Sequence, residues 1–143
     1  MDIFNQFAAD PSKELDGIWV SLGGDDAKPA RIKVARSGNK RHAKVITALY
    51  ESNKSTLELK NDVADAKGEE ITIEAMAKGI LLGWEGLSFK GADNADSAVM
   101  TAEDRLVQAK QFLAVKDFRA LVQKNSEDFQ KFKAVADEEA AGN

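Results

Sequence analysis

Two runs, Ile18-Trp19-Val20-Ser21-Leu22 and Arg31-Ile32-Lys33-Val34-Ala35-Arg36, decide the fold class. β-Branched and aromatic side chains dominate the first, and Gly23-Gly24-Asp25-Asp26 ends it as a turn would. The second alternates charged and apolar residues, which suits a strand with one buried and one wet face. Together they predict a β-hairpin with a long connection, and Pro29 sits near the end of that connection. Upstream, Asp2 is placed to cap a short amphipathic helix carrying Ile3, Phe4 and Phe7. Asp10-Pro11 is expected to stop it, because proline disfavours helix in the residue before it.

Downstream the period changes from two to about 3.6. Ser37-Gly38-Asn39 breaks the strand and supplies caps for a helix over about 40–53, with Val45, Ile46, Leu49 and Tyr50 on one side. A longer helix is predicted over about 56–84. Its stripe is Leu59, Val63, Ala66, Ile73, Met76, Ala77, Ile80, Leu81 and Trp84, and Gly68 is a point where it could divide. The glycines of 83–91 predict helix exit and an extended loop, and the small polar residues of 92–99 predict a mobile segment. Thr101 followed by Glu103 and Asp104 reads as an N-cap with acids in the first turn, opening a helix that buries Leu106, Phe112 and Leu113. A last helix from about Asp117 carries Phe118, Leu121, Val122, Phe129, Phe132 and Val135, and the acidic tail 137–143 should fray.

The predicted fold class is therefore α+β, mostly α-helical, with an N-terminal antiparallel β-hairpin packed on the helices. The 143 residues suit one domain. It is organised as helix and hairpin (1–36), helices (37–84), loop (85–100) and C-terminal helices with the tail (101–143).

The chemistry is thin. There is no cysteine, which excludes a disulfide scaffold, a thiolate zinc site and a thiol nucleophile. His42 is the single histidine and stands beside Lys40, Arg41 and Lys44. Those cations discourage metal binding, so a solvated surface histidine is expected. The carboxylate pairs Glu69-Glu70 and Glu138-Glu139 read as solvated polar faces. Gly23-Gly24 lacks the lysine and spacing of a phosphate loop. No enzyme activity, cofactor or metal is expected. No apolar run reaches membrane-spanning length, and the N-terminus has neither the basic nor the apolar part of a signal peptide. The expected location is the cytoplasm.

Two features point to binding. Seven basic residues, Lys28, Arg31, Lys33, Arg36, Lys40, Arg41 and Lys44, fall in one run without an acid, so the rest of this chain of net charge -4 carries -11. Such a run could grip an acidic protein or phosphates. It could equally protect an exposed strand from edge-to-edge aggregation, the more ordinary role for Lys33 and Arg36. No aromatics interleave with it, which argues against single-stranded nucleic acid. The second feature is Leu81-Leu82-Gly83-Trp84-Glu85-Gly86-Leu87-Ser88-Phe89. Trp84 is expected to close the core, while Leu87 and Phe89 stay open between packing and docking. The candidate partner-binding residues are Arg31, Lys33, Arg36, Lys40, Arg41, Leu87 and Phe89.

In that order, Gly17-Ile18-Trp19-Val20, the basic strand running into Ser37-Gly38-Asn39-Lys40-Arg41, Leu82-Gly83-Trp84-Glu85-Gly86-Leu87 and Phe118-Arg119-Ala120-Leu121-Val122 resemble the tail assembly chaperones of long, non-contractile-tailed bacteriophages. The segment 90–111 departs from that pattern, being longer and free of proline and of aromatic residues. The resemblance implies a non-enzymatic protein that binds the tape-measure protein and helps recruit tail tube subunits. It would act in the host cytoplasm and be absent from the mature virion, with self-association left open. A small nucleic-acid-binding phage protein using the 28–44 run is the alternative.

Overall fold

The computed structural model describes residues 1–25 and 27–134; Asp26, Val135 and the acidic tail lie outside the described residues. Two short helices open the chain, α1 (Ile3–Phe7) and α2 (Pro11–Asp16). Asp2 caps the first as expected, its carboxylate accepting the Asn5 N–H. Asp10-Pro11 starts a helix rather than merely stopping one. Asp10 accepts the Ser12 and Lys13 N–H groups, and Pro11 occupies the first turn, where its missing N–H costs nothing.

The hairpin is present, with longer strands and a tighter turn than expected: β1 (Ile18–Asp25) runs antiparallel to β2 (Lys28–Val34). Pro29 is a strand residue opposite Gly24, while Ala35 and Arg36 lie beyond the strand. Asn39 then caps α3 (Lys40–Ser52) by accepting the His42 N–H, and the one-turn α4 (Lys54–Leu57) follows. The long helix is α5 (Asp62–Gly79), capped by Asn61. Gly68 does not divide it. Its buried residues are Ala64, Ile71, Ala75, Met76, Ala77 and Gly79, whereas Leu59 and Val63 of the expected stripe are exposed.

The main departure lies at 80–85. The chain leaves the helix after Gly79 and forms β3 (Leu81–Glu85), antiparallel to β2, giving a three-stranded sheet in the order β1-β2-β3. A helix through Trp84 would leave the second edge of β2 unpaired. The strand satisfies it, pairing Arg31 with Glu85 and Ile32 with Trp84, and a bulge falls between Lys33 and Val34. The expected loop beyond is a small hairpin, β4 (Ser88–Phe89) and β5 (Ala92–Asp93), then a 3₁₀ turn at Ser97–Val99. Two helices follow: α6 (Ala102–Leu113), capped by Thr101, and α7 (Lys116–Glu127), after which a 3₁₀ turn spans Phe129–Phe132.

Residues 95–97 are tied to the outer edge of β3. The buried Ser97 hydroxyl accepts the Trp84 N–H at 2.9 Å and donates to the Trp84 carbonyl at 3.2 Å. The Trp84 indole N–H donates to the Ala95 carbonyl, and Asp96 accepts the Gly86 N–H. An open strand edge is thereby covered. The core lies between the sheet and α5–α7. Ile32, Val34, Trp84 and Leu113 are at most 1% exposed, and Trp84 meets Phe112 edge-on at 5.3 Å. Trp84 closes the core as predicted.

Candidate partner-binding surfaces

Strand alternation sends Ile32 and Val34 inward and Arg31 and Lys33 to the outer face of the sheet. Across that face runs a stripe from all three strands. The Arg31 guanidinium lies 4.1 Å from the centre of the Trp19 ring and holds both carboxylate oxygens of Glu85, at 2.7 and 3.0 Å. This fork-to-fork pairing raises the Arg31 pKa and lowers that of Glu85. Lys33 stands opposite both Trp19 and Gly83. A Cβ on Gly83 would lie 3.0 Å from the Ser97 Oγ, so the glycine leaves room for that hydroxyl against the strand, while the Trp19 ring would be at ordinary contact distance. Lys28, of the opposite parity along β2, pairs instead with Asp93 of β5 at 3.2 Å.

The structure divides the basic run. Arg36 lies beyond the strand, its guanidinium 5.4 Å from the centre of the Phe132 ring and its N–H bonded to the Glu14 carbonyl. Arg41 reaches back to the Leu15 carbonyl at 2.8 Å. Both brace the N-terminal helices and the C-terminal turn. Lys40 is exposed on the first turn of α3. Arg31 and Lys33 thus share a surface that Arg36 and Arg41 do not join.

His42 corrects the sequence reading, being only 6% exposed. Its Nδ1 accepts the Gly38 N–H at 3.0 Å, and burial holds its pKa below the usual histidine value. Gly79 causes this burial: α5 packs so closely on α3 there that a Cβ would sit 2.7 Å from the His42 Cα. Asn39 locks the same junction, donating to the Arg36 and Gly79 carbonyls.

Leu87 and Phe89 are half-buried and line an open apolar cleft of about 280 Å³ with Leu22, Phe112, Val115 and Phe118. Phe112 stands 6.0 Å from both Phe89 and Phe118, and the Lys90 ammonium lies 5.7 Å from the Phe89 ring. Val115, 46% exposed, stands at its rim. Trp19, Leu22, Val115 and Phe118 were missed as site residues. Trp19 could have been found from its place opposite Lys33 in the alternating hairpin. Val115 and Phe118 could not, because a helix–helix junction brings them to a hairpin distant in sequence.

Among the described residues no group of three or more histidines or carboxylates is placed to hold a metal, and no helix is long and apolar enough to cross a membrane. Neither a curated protein nor a solved structure matches the chain. The family model described as "YdaY prophage protein" matches residues 37–143, which include Lys40, Arg41, Leu87 and Phe89 and leave out the first hairpin. With well over half of its length matched, the chain belongs to the YdaY prophage protein family.

Proposed function

We propose that this prophage protein is a non-enzymatic tail assembly chaperone, binding the tape-measure protein in the host cytoplasm and helping to recruit tail tube subunits. The observation that carries the reading is the open cleft between the second hairpin and the α6–α7 junction. Its lining of Leu22, Leu87, Phe89, Phe112, Val115 and Phe118 offers a seat for a partner's apolar anchor. The paired ions Lys28–Asp93 and Arg31–Glu85 supply polar groups on the neighbouring sheet. An apolar centre with charged surroundings is the anatomy of a protein interface. Prophage origin and the resemblance to tail chaperones add their support.

Co-expression with the long helical tape-measure protein of the same prophage tests the proposal. Co-purification is expected, with Val115→Glu weakening it at least tenfold while the fold, read by circular dichroism, is kept. Wild-type protein that leaves a soluble tape-measure protein unbound sinks the reading. The nucleic-acid alternative gains nothing from the geometry, because carboxylates already face Lys28 and Arg31. It requires DNA binding that weakens steeply with salt.

A further inference from the structure

The three-stranded sheet has two edges, and the chain treats them differently. Residues 95–97 cover the outer edge of β3. The outer edge of β1 is left open: among the described residues, nothing outside β2 hydrogen-bonds the backbone of Ile18–Leu22. The ladder shows which groups are free there. Trp84 turns both its N–H and its carbonyl away from β2, to Ser97. Residues directly opposite in an antiparallel pair exchange both bonds or neither. Ile32, opposite Trp84, therefore directs its own two groups to Val20, its partner in β1. Alternation then turns the N–H and carbonyl of Trp19 and of Ser21 outward, before the bulge that follows Ser21.

The side chains fit an uncovered edge. Ile18, Val20 and Leu22 face the core yet are only half-buried, whereas Ile32 and Val34 on the next strand are fully buried. Ile18–Leu22 also lacks the lysine, proline or inward charge that commonly guards an edge.

From this edge we infer that the protein self-associates through β1, a second copy adding its own β1 antiparallel about a two-fold axis at Val20. A strand edge takes an extended backbone, and the free residues Trp19 and Ser21 flank Val20 symmetrically. In that register Trp19 meets the partner's Ser21, and Ser21 meets the partner's Trp19. Each pair exchanges both bonds, so every free group of both copies is used. The two-fold closes the assembly at two copies. It keeps both helical layers on one side of a continuous sheet, with Val20 against the partner's Val20 and Ile18 against the partner's Leu22. On the outer face the large Trp19 meets a small serine, and no charge in Ile18–Leu22 meets its like. So short a contact falls below the roughly 1,200 Å² of a stable interface, so association should build up between micromolar and millimolar chain. The inference goes beyond the chaperone reading and does not depend on it.

The full chain alone serves as the sample. Sedimentation equilibrium should show the mass rising toward that of a dimer across that range. Over the same range hydrogen exchange of the Trp19 and Ser21 amides should slow at least tenfold, while the Val20 amide, bonded to Ile32 in either state, stays slow. Ser21→Pro removes an N–H that faces away from β2, so the fold, read by circular dichroism, is kept while dimerisation weakens at least tenfold. The chain has no cysteine, so Val20→Cys supplies an independent readout. Its Cα should lie about 4.5 Å from that of its copy, within disulfide reach, and mild oxidation should give a covalent dimer. Leu22→Cys, opposite the partner's Ile18, should not crosslink. A monomer at millimolar concentration, a dimer whose Trp19 and Ser21 amides stay fast, or equal crosslinking of the two cysteine variants would each overturn the inference. So would a chain that stays monomeric while tape-measure protein slows those amides, which would assign the edge to a foreign strand.

Discussion

Gly86 ends β3 in a left-handed conformation, φ +68°, with its N–H bonded to Asp96. A Cβ placed there would collide with the Pro29 carbonyl oxygen and lie 3.1 Å from its carbon, both backbone atoms of the neighbouring strand. Gly86→Ala therefore carries two costs. The left-handed conformation costs an L-residue about 1–2 kcal/mol. Parting the strands to relieve the overlap adds about 1–3 kcal/mol, as overpacking does elsewhere. Gly91 separates the two, because it has φ +80° and nothing within 4 Å of its Cβ position. Gly91→Ala should lose about 1–2 kcal/mol, and Gly86→Ala about 2–5 kcal/mol. With a urea dependence of about 2 kcal/mol per molar, the midpoints fall by roughly 0.5–1 M and 1–2.5 M. Urea unfolding followed by tryptophan fluorescence reads this directly. Equal midpoints for the two variants would refute the strand contact assigned to Gly86.

Gly68 lies inside α5 with open space around it, so Gly68→Ala should raise stability by about 1 kcal/mol, visible as a higher urea midpoint. Ser97→Ala leaves the Trp84 N–H and carbonyl without their side-chain partner and should cost about 1–3 kcal/mol, with faster amide exchange at Trp84 as its local signature. The pKa of His42 is lowered by folding, so its neutral form is the one the fold accepts. Its contribution to stability is complete above the unfolded histidine pKa of about 6.5 and is lost as pH falls through the lower folded value. Urea midpoints should decline on acidification below about pH 6.5, before the carboxylates titrate, and His42→Gln should flatten that decline. Glu74, held by Lys78 and Lys110, and Glu85, held by Arg31, have lowered pKa values. Their contributions are present above the ordinary carboxylate range and lost in more acid solution, so Glu85→Gln should flatten the urea-midpoint profile only there.

Local chemistry made much of this protein legible. Asp2, Asn39 and Thr101 are cap residues whose side chains meet the first-turn N–H groups within a few residues, so no distant contact is needed to place those helix starts. The alternation Arg31-Ile32-Lys33-Val34 settled which face of β2 is wet. Trp84 was legible as core because a large aromatic among glycines and leucines has few better places to go. Tertiary structure decided what hung on pairing across the chain. Ile80, Leu81 and Trp84 satisfy a helical spacing as well as a strand, and the open edge of β2 selected the strand. That choice turned Glu85 toward Arg31, placed Leu87 and Phe89 against α6 and α7, and gave Ser97 its place on the strand edge. His42 was misread for a similar reason: its neighbours in sequence are cations, but what buries it is Gly79, on another helix, whose missing side chain lets the two backbones meet.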